Sequence, residues 1–174
     1  MGTNIEIKAR LRDPEAVRER AAALADKGPT TLHQDDTFFP AVRGRLKLRR
    51  LAPGAGELIH YERPDRAGAK RSRYRIHPTD RPDALAALLA EALGTLGRVV
   101  KERTLYLAGR TRIHLDRVEG LGDFLELEVV LADGEDAAAG KAEAERLAAA
   151  LGVAPADRVG GAYLDLLLSA GRSG

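Results

Sequence analysis

The sequence predicts an α+β fold in which an eight-stranded antiparallel β-barrel encloses a charged lumen and carries peripheral α-helices on its outside. Segments in which apolar and polar residues alternate recur along the chain, and this period of two indicates half-buried strands. Most of these segments follow one another through short turns, which favours hairpins and antiparallel pairing. The helical segments carry one apolar stripe each, as expected of helices that cover a sheet.

Length and composition set limits on the interpretation. With 174 residues, of which 44% are hydrophobic and 31% charged, we expect one domain over residues 1–174. The 28 Lys and Arg residues nearly balance the 26 Asp and Glu residues, so the net charge of +2 gives no argument for a nucleic-acid or membrane partner. The sequence has no cysteine and no membrane-length apolar run, and we expect a cytoplasmic protein that is a monomer or a homodimer.

The first strand covers residues 4–11, and its alternation separates an apolar face from a polar one. The polar face carries Asn4, Glu6, Lys8 and Arg10. A helix follows from an N-cap at Asp13 to about Lys27, where a Gly-Pro pair ends it. A second strand is predicted over about residues 31–39.

The middle of the chain carries basic strands. One face of the strand over residues 44–50 carries Arg45, Lys47 and Arg49. A row of like charges on one face is unfavourable unless an anion lies between them. Strands over residues 57–63 and 71–76 add the cations Arg63 and Arg73.

A second helix is predicted from a cap at Asp80 to the residue before Gly94. The strand over residues 98–107 then places Lys101 and Arg103 on a common face. The charged face of this strand is therefore basic as well.

The hairpin over residues 110–131 carries the acidic residues. The polar face of its first strand carries Arg112, His114 and Asp116, and that of its second strand carries Glu126 and Glu128. Two further helices are predicted, over residues 137–151 and 161–168. Taken by itself, His114 is interpreted as a surface residue or a neighbour of the site, and Tyr163 as a core residue.

Two arrangements of the barrel are compatible with the pattern, since the charged faces can meet either water or the lumen. The sorting of cations and acids onto different strands favours the lumen, because charges in water need no such sorting. A lumen lined with unpaired cations is costly, and a polyanion such as a triphosphate removes that cost. Arginine also supplies the forked geometry that phosphate oxygens prefer.

The acidic residues suggest a metal site beside the basic residues. Carboxylates are hard oxygen ligands of the kind that Mg²⁺ or Mn²⁺ selects. The candidates are Glu6, Asp116, Glu126 and Glu128. A phosphate clamp next to a divalent cation is what phosphoryl or nucleotidyl transfer requires.

Short motifs recur in a fixed order along nearly the whole chain: N-I-E-I-K, Q-D-D-T-F-F, G-R-L-K-L-R, L-I-H-Y-E-R-P, V-V-K-E-R, R-I-H-L-D and E-L-E. In this order they resemble the CYTH superfamily of triphosphate tunnel metalloenzymes, and most of all its class IV adenylyl cyclase-like branch. The resemblance implies an eight-stranded tunnel that binds triphosphate compounds with a divalent metal. Its members include class IV adenylyl cyclases, thiamine triphosphatases and inorganic triphosphatases.

The resemblance also implies roles for individual residues. The family's Glu-x-Glu-x-Lys motif falls on residues 4–8, which implies that Glu6 is a metal ligand and Lys8 a phosphate-binding or general-base residue. The other metal ligands fall on Asp116, Glu126 and Glu128. With Arg73 and Arg112 added from the strand pattern, the substrate-binding set is Lys8, Arg45, Lys47, Arg49, Arg63, Arg73, Lys101, Arg103 and Arg112. Asn4 replaces the first Glu of the motif, and we expect weaker occupancy of at least one metal position.

The predicted function is a metal-dependent phosphohydrolase that acts on inorganic triphosphate, thiamine triphosphate or a nucleotide, with Lys8, Lys101 and Arg103 as catalytic residues. A class IV-type adenylyl cyclase is the first alternative, and it ranks lower because the sequence shows no adenine site. A non-catalytic module that binds triphosphate or polyphosphate is the second. An RNA-binding barrel is disfavoured by the low net charge and the acidic hairpin.

Overall fold

Eight strands pair into a closed antiparallel barrel in a computed structural model that describes residues 1–171. The strands are β1 (Gly2–Arg10), β2 (Lys27–Phe39), β3 (Arg45–Ala52), β4 (Ala55–Glu62), β5 (Lys70–Thr79), β6 (Gly97–Ala108), β7 (Thr111–Val118) and β8 (Gly122–Val130). The helices are α1 (Pro14–Leu24), α2 (Pro82–Leu93), α3 (Ala137–Ala150) and α4 (Tyr163–Gly171), with a 3-10 turn at Pro155–Asp157. The predicted fold class is therefore confirmed.

The strand order around the barrel is β1-β5-β4-β3-β2-β6-β7-β8, and β8 pairs with β1 to close it. The strands from β2 to β5 and from β6 to β8 are sequential neighbours, as the hairpin pattern predicts. The chain leaves this order between β1 and β2 and between β5 and β6, and α1 and α2 lie in these two connections. Closure gives each strand two neighbours, so that the barrel has no free edge.

The pairing register directs the charged faces into the lumen. On β1, Glu6 lies opposite Glu128 of β8, and Lys8 lies opposite Glu126. Directly opposed residues point to the same side of a sheet, so these side chains share the lumen. Ile7, between them in sequence, is fully buried in the core outside the barrel wall. The predicted charged lumen is thus confirmed.

Apolar side chains fill the space between the barrel wall and helices α1 and α3. The wall contributes Ile5, Ile7, Ile113, Leu115, Leu125, Leu127 and Val129, and the helices contribute Val17, Ala21, Ala144, Leu147 and Ala148. Each large side chain of this kind stabilises the fold by about 1.5–3 kcal/mol when it is fully buried. Because α3 packs on β1 and β8, it holds the part of the wall that carries Glu6, Glu126 and Glu128.

The first turn of α4 lies over one end of the barrel. Tyr163 and Leu164 pack in one cluster with Phe38, Val118 and Phe124. The rings of Tyr163 and Phe124 meet edge to face, with their centroids 5.0 Å apart. The helix therefore covers the lumen at this end and brings a tyrosine to it.

Two helix boundaries near the N-terminal half differ from the prediction. Helix α1 ends at Leu24 rather than Lys27, because Lys27 already pairs with Leu107 and belongs to β2. The N-cap position of α2 is occupied by Arg81 rather than Asp80. Pairing with a neighbouring strand overrides helical propensity in the first case, which a local pattern does not reveal.

The last helix begins at Tyr163 rather than at Gly161. The carboxylate of Asp165 accepts a hydrogen bond of 2.7 Å from the backbone amide of Ala162, which satisfies a free amide at the start of the helix. Among the helices of residues 1–171, none combines the length and the apolar character needed to cross a membrane.

Candidate active site

A cavity of about 280 Å³ occupies the lumen and is lined by residues from every strand of the barrel. The basic residues in its wall are Lys8, Lys47, Arg49, Arg63, Lys101, Arg103 and Arg112. The acidic residues in its wall are Glu6, Asp36, Glu57, Glu126 and Glu128. The strand pattern therefore produces a lumen in which cations and carboxylates from different strands lie together.

Asp36 on β2 holds two of the lumen cations. Its carboxylate accepts a hydrogen bond of 2.7 Å from Lys47 Nζ and bonds of 2.8 and 2.9 Å from Arg49 Nε and Nη2. Burial disfavours the charged carboxylate, but Lys47 and Arg49 outweigh it and hold the pKa of Asp36 well below its usual range. Burial, and then the nearby Arg49, lowers the pKa of Lys47 to about 8.

Both carboxylate oxygens of Asp116 on β7 accept hydrogen bonds from side chains at the end of the lumen that α4 covers, which is called the closed end below. Arg103 Nε and Nη2 each donate to it at 2.7 Å, Lys101 Nζ lies 3.3 Å away, and the hydroxyl of Tyr163 donates at 2.8 Å. Burial disfavours its charge, yet Arg103 and Lys101 keep the pKa of Asp116 below its usual range. Asp116 thus anchors two lumen cations, and its side chain is not part of the cavity wall among the described residues.

Tyr163 also contacts the lysines of the lumen. Its ring centroid lies 4.0 Å from Lys8 Nζ and 4.8 Å from Lys101 Nζ, within the range of cation–π contacts. Lys8 Nζ lies 3.6 Å from the Glu126 carboxylate. Burial lowers the pKa of Lys8 to about 7, although the charge of Glu126 raises it.

Arg63 reaches into the lumen from the end of β4. One of its terminal nitrogens donates to the carboxylate of Glu6, and the other donates to the backbone carbonyl of Gly161 at 2.6 Å. The loop before α4 therefore helps to orient Arg63. The Glu6 carboxylate, which the sequence predicts as a metal ligand, is paired with an arginine in this arrangement.

Glu126 and Glu128 on β8 meet His114 on β7. One potential ligand atom from each of these residues lies within 4.8 Å of the other two. The ion pairs of the two carboxylates with Lys8, Arg103 and Arg112 all use their Oε2 atoms. Two carboxylates and an imidazole around a common point fit a divalent cation, so the donor set agrees with the metal that the motifs imply.

The carboxylates of this cluster differ in their acidity. Burial, with the charge of Glu126, raises the pKa of Glu128 to about 7. Burial acts on Glu126 in the same direction, but Lys8 and Arg103 outweigh it and keep its pKa well below the usual range. Burial, and then the charge of Arg103, holds the pKa of His114 well below its usual value, so its imidazole is neutral near pH 7.

Comparison with known proteins gives the family. The model of the CYTH domain matches residues 2–163. The chain belongs to the CYTH family. The resemblance inferred from the motifs is therefore confirmed.

Individual proteins are also similar to this chain in sequence or in fold. The chain is 28% identical to the adenylate cyclase CyaB of Aeromonas hydrophila over 142 residues, which cover 74% of this chain and 70% of the relative. The structure of the PH1012 protein of Pyrococcus horikoshii OT3 superimposes with a TM-score of 0.82 and 24% identity, over 94% of this chain and 99% of that one. HpAC1 from Hippeastrum has a TM-score of 0.66 and 19% identity, over 96% of each chain. The two structures show a shared fold.

The CYTH barrel brings most of the predicted site residues together, with two exceptions among the cations. Arg73 lies on the outer face, since its neighbours Ser72 and Tyr74 line the cavity and alternation sends it outward. Arg45 points to the closed end, where it pairs with Asp65 and Asp165 at 2.7 Å each. The expected lumen position of Arg73 is corrected accordingly, whereas the substrate-binding role predicted for Arg45, which lies opposite the cavity-lining Tyr61, remains a prediction.

Among the predicted metal ligands, the structure brings Glu126 and Glu128 together with each other. Glu6 lies opposite Glu128 on the neighbouring strand but is paired with Arg63. Asp116 is engaged by Lys101, Arg103 and Tyr163 instead of joining this group. The metal-ligand roles predicted for all these residues remain predictions.

Three residues of the site were missed from the sequence. Asp36 alternates in phase with Gln34 and Phe38, so the sequence pattern places it on the same face as these residues. The pattern does not show that Asp36 pairs with the cations of the neighbouring strand. His114 shares a polar face with Asp116, yet an isolated histidine carries no spacing signal. Tyr163 comes from a helix far along the chain, and a local pattern cannot show that its first turn covers the barrel.

Proposed function

We propose that the protein is a divalent-metal-dependent hydrolase of triphosphate compounds, with the substrate held in the barrel lumen. The observation that carries this proposal is the convergence of the basic residues and the Glu126–Glu128 pair on one enclosed cavity. A polyanion is complementary to the basic residues of the cavity wall, and a divalent cation is complementary to its carboxylates.

The basic residues would hold the phosphates. Arg49, Arg63 and Arg103 offer forked donors for pairs of phosphate oxygens, and Lys8 and Lys101 act as point charges that stabilise charge as it develops on them. Each of these cations has a carboxylate partner in the structure. Binding of a triphosphate would therefore exchange carboxylate partners for phosphate partners rather than bring new charge to unpaired cations.

The carboxylates would hold Mg²⁺ or Mn²⁺. Glu126 and Glu128 are the ligands proposed for this ion, with Glu6 on the neighbouring strand facing them. When bound, a divalent cation neutralises phosphate charge and makes water a better nucleophile. The side chains of Lys8, Lys101 and Arg103 would keep the phosphate chain in place while water attacks the terminal phosphorus. The bond from that phosphorus to the bridging oxygen would break, which releases orthophosphate and leaves the diphosphate part of the substrate bound to the cations.

Adenylyl cyclase activity is the second candidate, and the 28% identity to the adenylate cyclase CyaB favours it. HpAC1, a protein named as an adenylyl cyclase, has a dominant triphosphatase activity, and this supports hydrolysis as the first candidate. Hydrolysis ranks first because it uses only the phosphate and metal groups that the lumen provides. Cyclisation needs in addition a nucleoside held with its ribose against the α-phosphorus.

The test is turnover on tripolyphosphate, thiamine triphosphate and ATP, each with Mg²⁺ and with Mn²⁺. Orthophosphate, pyrophosphate and cyclic AMP are measured for the wild type, for Glu126→Gln and for a control, Glu62→Gln, which changes an exposed residue of β4. We expect release of orthophosphate that Glu126→Gln lowers by about 100-fold or more, as removal of a charge-stabilising group does. The control should retain the activity.

Other outcomes lead to different conclusions. Cyclic AMP and pyrophosphate from ATP, without orthophosphate, would replace the hydrolase with a cyclase. No turnover under any condition, together with thermal stabilisation by tripolyphosphate, would identify a binding protein. Equal activity in both glutamate variants would remove the lumen carboxylates from the mechanism.

A further inference from the structure

We propose that His114 is a third protein ligand of the lumen cation, and that the site therefore selects a first-row transition metal such as Mn²⁺ over Mg²⁺. The inference rests on the proposed function only in placing a divalent cation between Glu126 and Glu128. It concerns which donor completes the site and which metal that donor favours.

The register places His114 where such a ligand is needed. It lies directly opposite Glu126 on the β7–β8 ladder. The neighbouring residue on the same face of β7, Arg112, lies opposite Glu128. The Nδ1 atom of His114 lies 4.0 Å from Glu128 Oε1. That separation is too long for a hydrogen bond, but two ligands on either side of one ion have a separation of this order.

The imidazole nitrogen that faces the carboxylates has no hydrogen-bond partner within residues 1–171. The residue is only 4% exposed, and its Nδ1 atom is itself buried. A buried polar atom without a partner costs about 1–3 kcal/mol, and native proteins rarely keep one without a reason. A metal bond to Nδ1 removes this cost and explains the orientation.

In the same wall of the lumen, an amide stands at a position where the family motif has a carboxylate. Asn4 occupies the first acidic position of the family motif, is buried, and has an Oδ1 atom without a partner within residues 1–171. An amide has no charge to offer a hard cation, so the site has fewer anionic oxygens than the motif calls for. An imidazole from β7 supplies another donor without adding charge.

The donor set determines the metal preference. Mg²⁺ prefers an octahedron of oxygen ligands and retains several waters, whereas imidazole suits first-row transition metals such as Fe²⁺, Ni²⁺ and Zn²⁺. A site with an imidazole and two carboxylates gains nitrogen coordination only when it holds one of the latter. Mn²⁺ is suited to carboxylate ligands, as Mg²⁺ is, but it is a paramagnetic first-row ion in which coordination by an imidazole nitrogen can be detected, which makes it the suitable probe.

The experiment is pulsed electron paramagnetic resonance of Mn²⁺ bound to the 174-residue chain, alone and with tripolyphosphate. Modulation from a directly coordinated ¹⁴N nucleus is expected in the wild type and is expected to disappear in His114→Gln. The matched control, His33→Gln, changes an exposed histidine of β2 and should keep the modulation. Calorimetric titrations of Mn²⁺ and Mg²⁺ accompany the spectra.

In the titrations, His114→Gln should weaken Mn²⁺ binding by about 10- to 100-fold and change Mg²⁺ binding much less. Bound Mn²⁺ without nitrogen modulation, or equal losses for both metals, would overturn the proposal while leaving a metal-dependent hydrolase intact. The absence of Mn²⁺ binding in both conditions would overturn the proposal together with the metal dependence of the proposed function. The readout does not depend on turnover.

Discussion

At the scale of the residue, the lumen is a set of ion pairs rather than a set of free charges. Asp36 pairs with Lys47 and Arg49, Asp116 pairs with Arg103, and Glu6 pairs with Arg63; these are the contacts that make the charged interior compatible with folding. Buried pairs of this kind contribute little net stability, but loss of one partner is strongly destabilising. The pairs also keep the cations oriented toward one cavity.

Lys47 provides a prediction of pH dependence. Burial and Arg49 lower its pKa to about 8, so the free protein carries its charge below that pH and loses it above. The contribution of Lys47 to the affinity for tripolyphosphate should therefore be independent of pH below pH 8. Above pH 8 the affinity should fall, by up to about tenfold per pH unit, until the pKa of Lys47 in the complex is reached. Calorimetric titrations between pH 7 and pH 10 measure the effect.

Lys47→Arg is the control for this dependence. An arginine remains protonated throughout the range, so the decline above pH 8 should be reduced in the variant. Identical pH profiles for the two proteins would show that the charge of residue 47 does not contribute to binding.

The sequence predicts which residues face the lumen better than it predicts which residues form ion pairs with one another. Alternation assigns Glu6, Lys101 and Glu126 to one charged surface, because side-chain direction along a strand has a period of two. It does not assign the partner of each charge, since that depends on register between strands. For the same reason Arg73 was assigned to the lumen, although the phase set by Ser72 and Tyr74 sends it outward.

At the scale of the element, α4 links the core to the site. Its first turn covers one end of the barrel, and Tyr163 contacts both the apolar cluster and the buried pair of Asp116 and Arg103. This contact crosses from the last helix to β6 and β7. The helix was predicted from its apolar spacing, but its docking position depends on the shape of the barrel end, which no local pattern contains.

Tyr163→Phe tests the role of this contact. The variant keeps the ring beside Lys8 but removes the hydroxyl that donates to the charged Asp116, and a hydrogen bond to a charged group contributes about 1.5–3 kcal/mol. We expect the free energy of unfolding to fall by that amount in urea titrations. Tyr74→Phe, which removes a half-buried hydroxyl in a long 3.4 Å contact with Arg112, should change it by less. Equal losses in the two variants would show that the hydroxyl of Tyr163 has no special role.

At the scale of the whole molecule, a chain of net charge +2 concentrates its charge inside. Helices cover the apolar outer faces of the barrel, and the strands direct their charged faces inward. The fold class follows from the sequence because both features are periodic and therefore local. The strand order is harder to predict, since β1 pairs with β5 and β8 rather than with its successor.

This arrangement predicts stabilisation by a polyanion. A ligand that binds only the folded state stabilises it by about 2.7 kcal/mol at a concentration of 100 times Kd. Tripolyphosphate should therefore raise the melting temperature more than orthophosphate does at equal ionic strength. Equal shifts with the two anions would mean that the lumen does not recognise a chain of phosphates.

The most direct test of the central claim, that the lumen rather than the outer surface binds triphosphate, compares Arg49→Gln with Arg73→Gln. Both changes remove an arginine, one from the cavity wall and one from the outer face of the barrel. Hydrogen bonds to charged groups contribute about 1.5–3 kcal/mol, which corresponds to roughly 10- to 100-fold in affinity. Lys47→Gln provides a second lumen variant, so that misfolding of one does not decide the result.

Calorimetry with tripolyphosphate should show this loss for the lumen variants and a change of less than about twofold for Arg73→Gln. Equal or larger losses for Arg73→Gln would contradict the account and place the triphosphate outside the barrel.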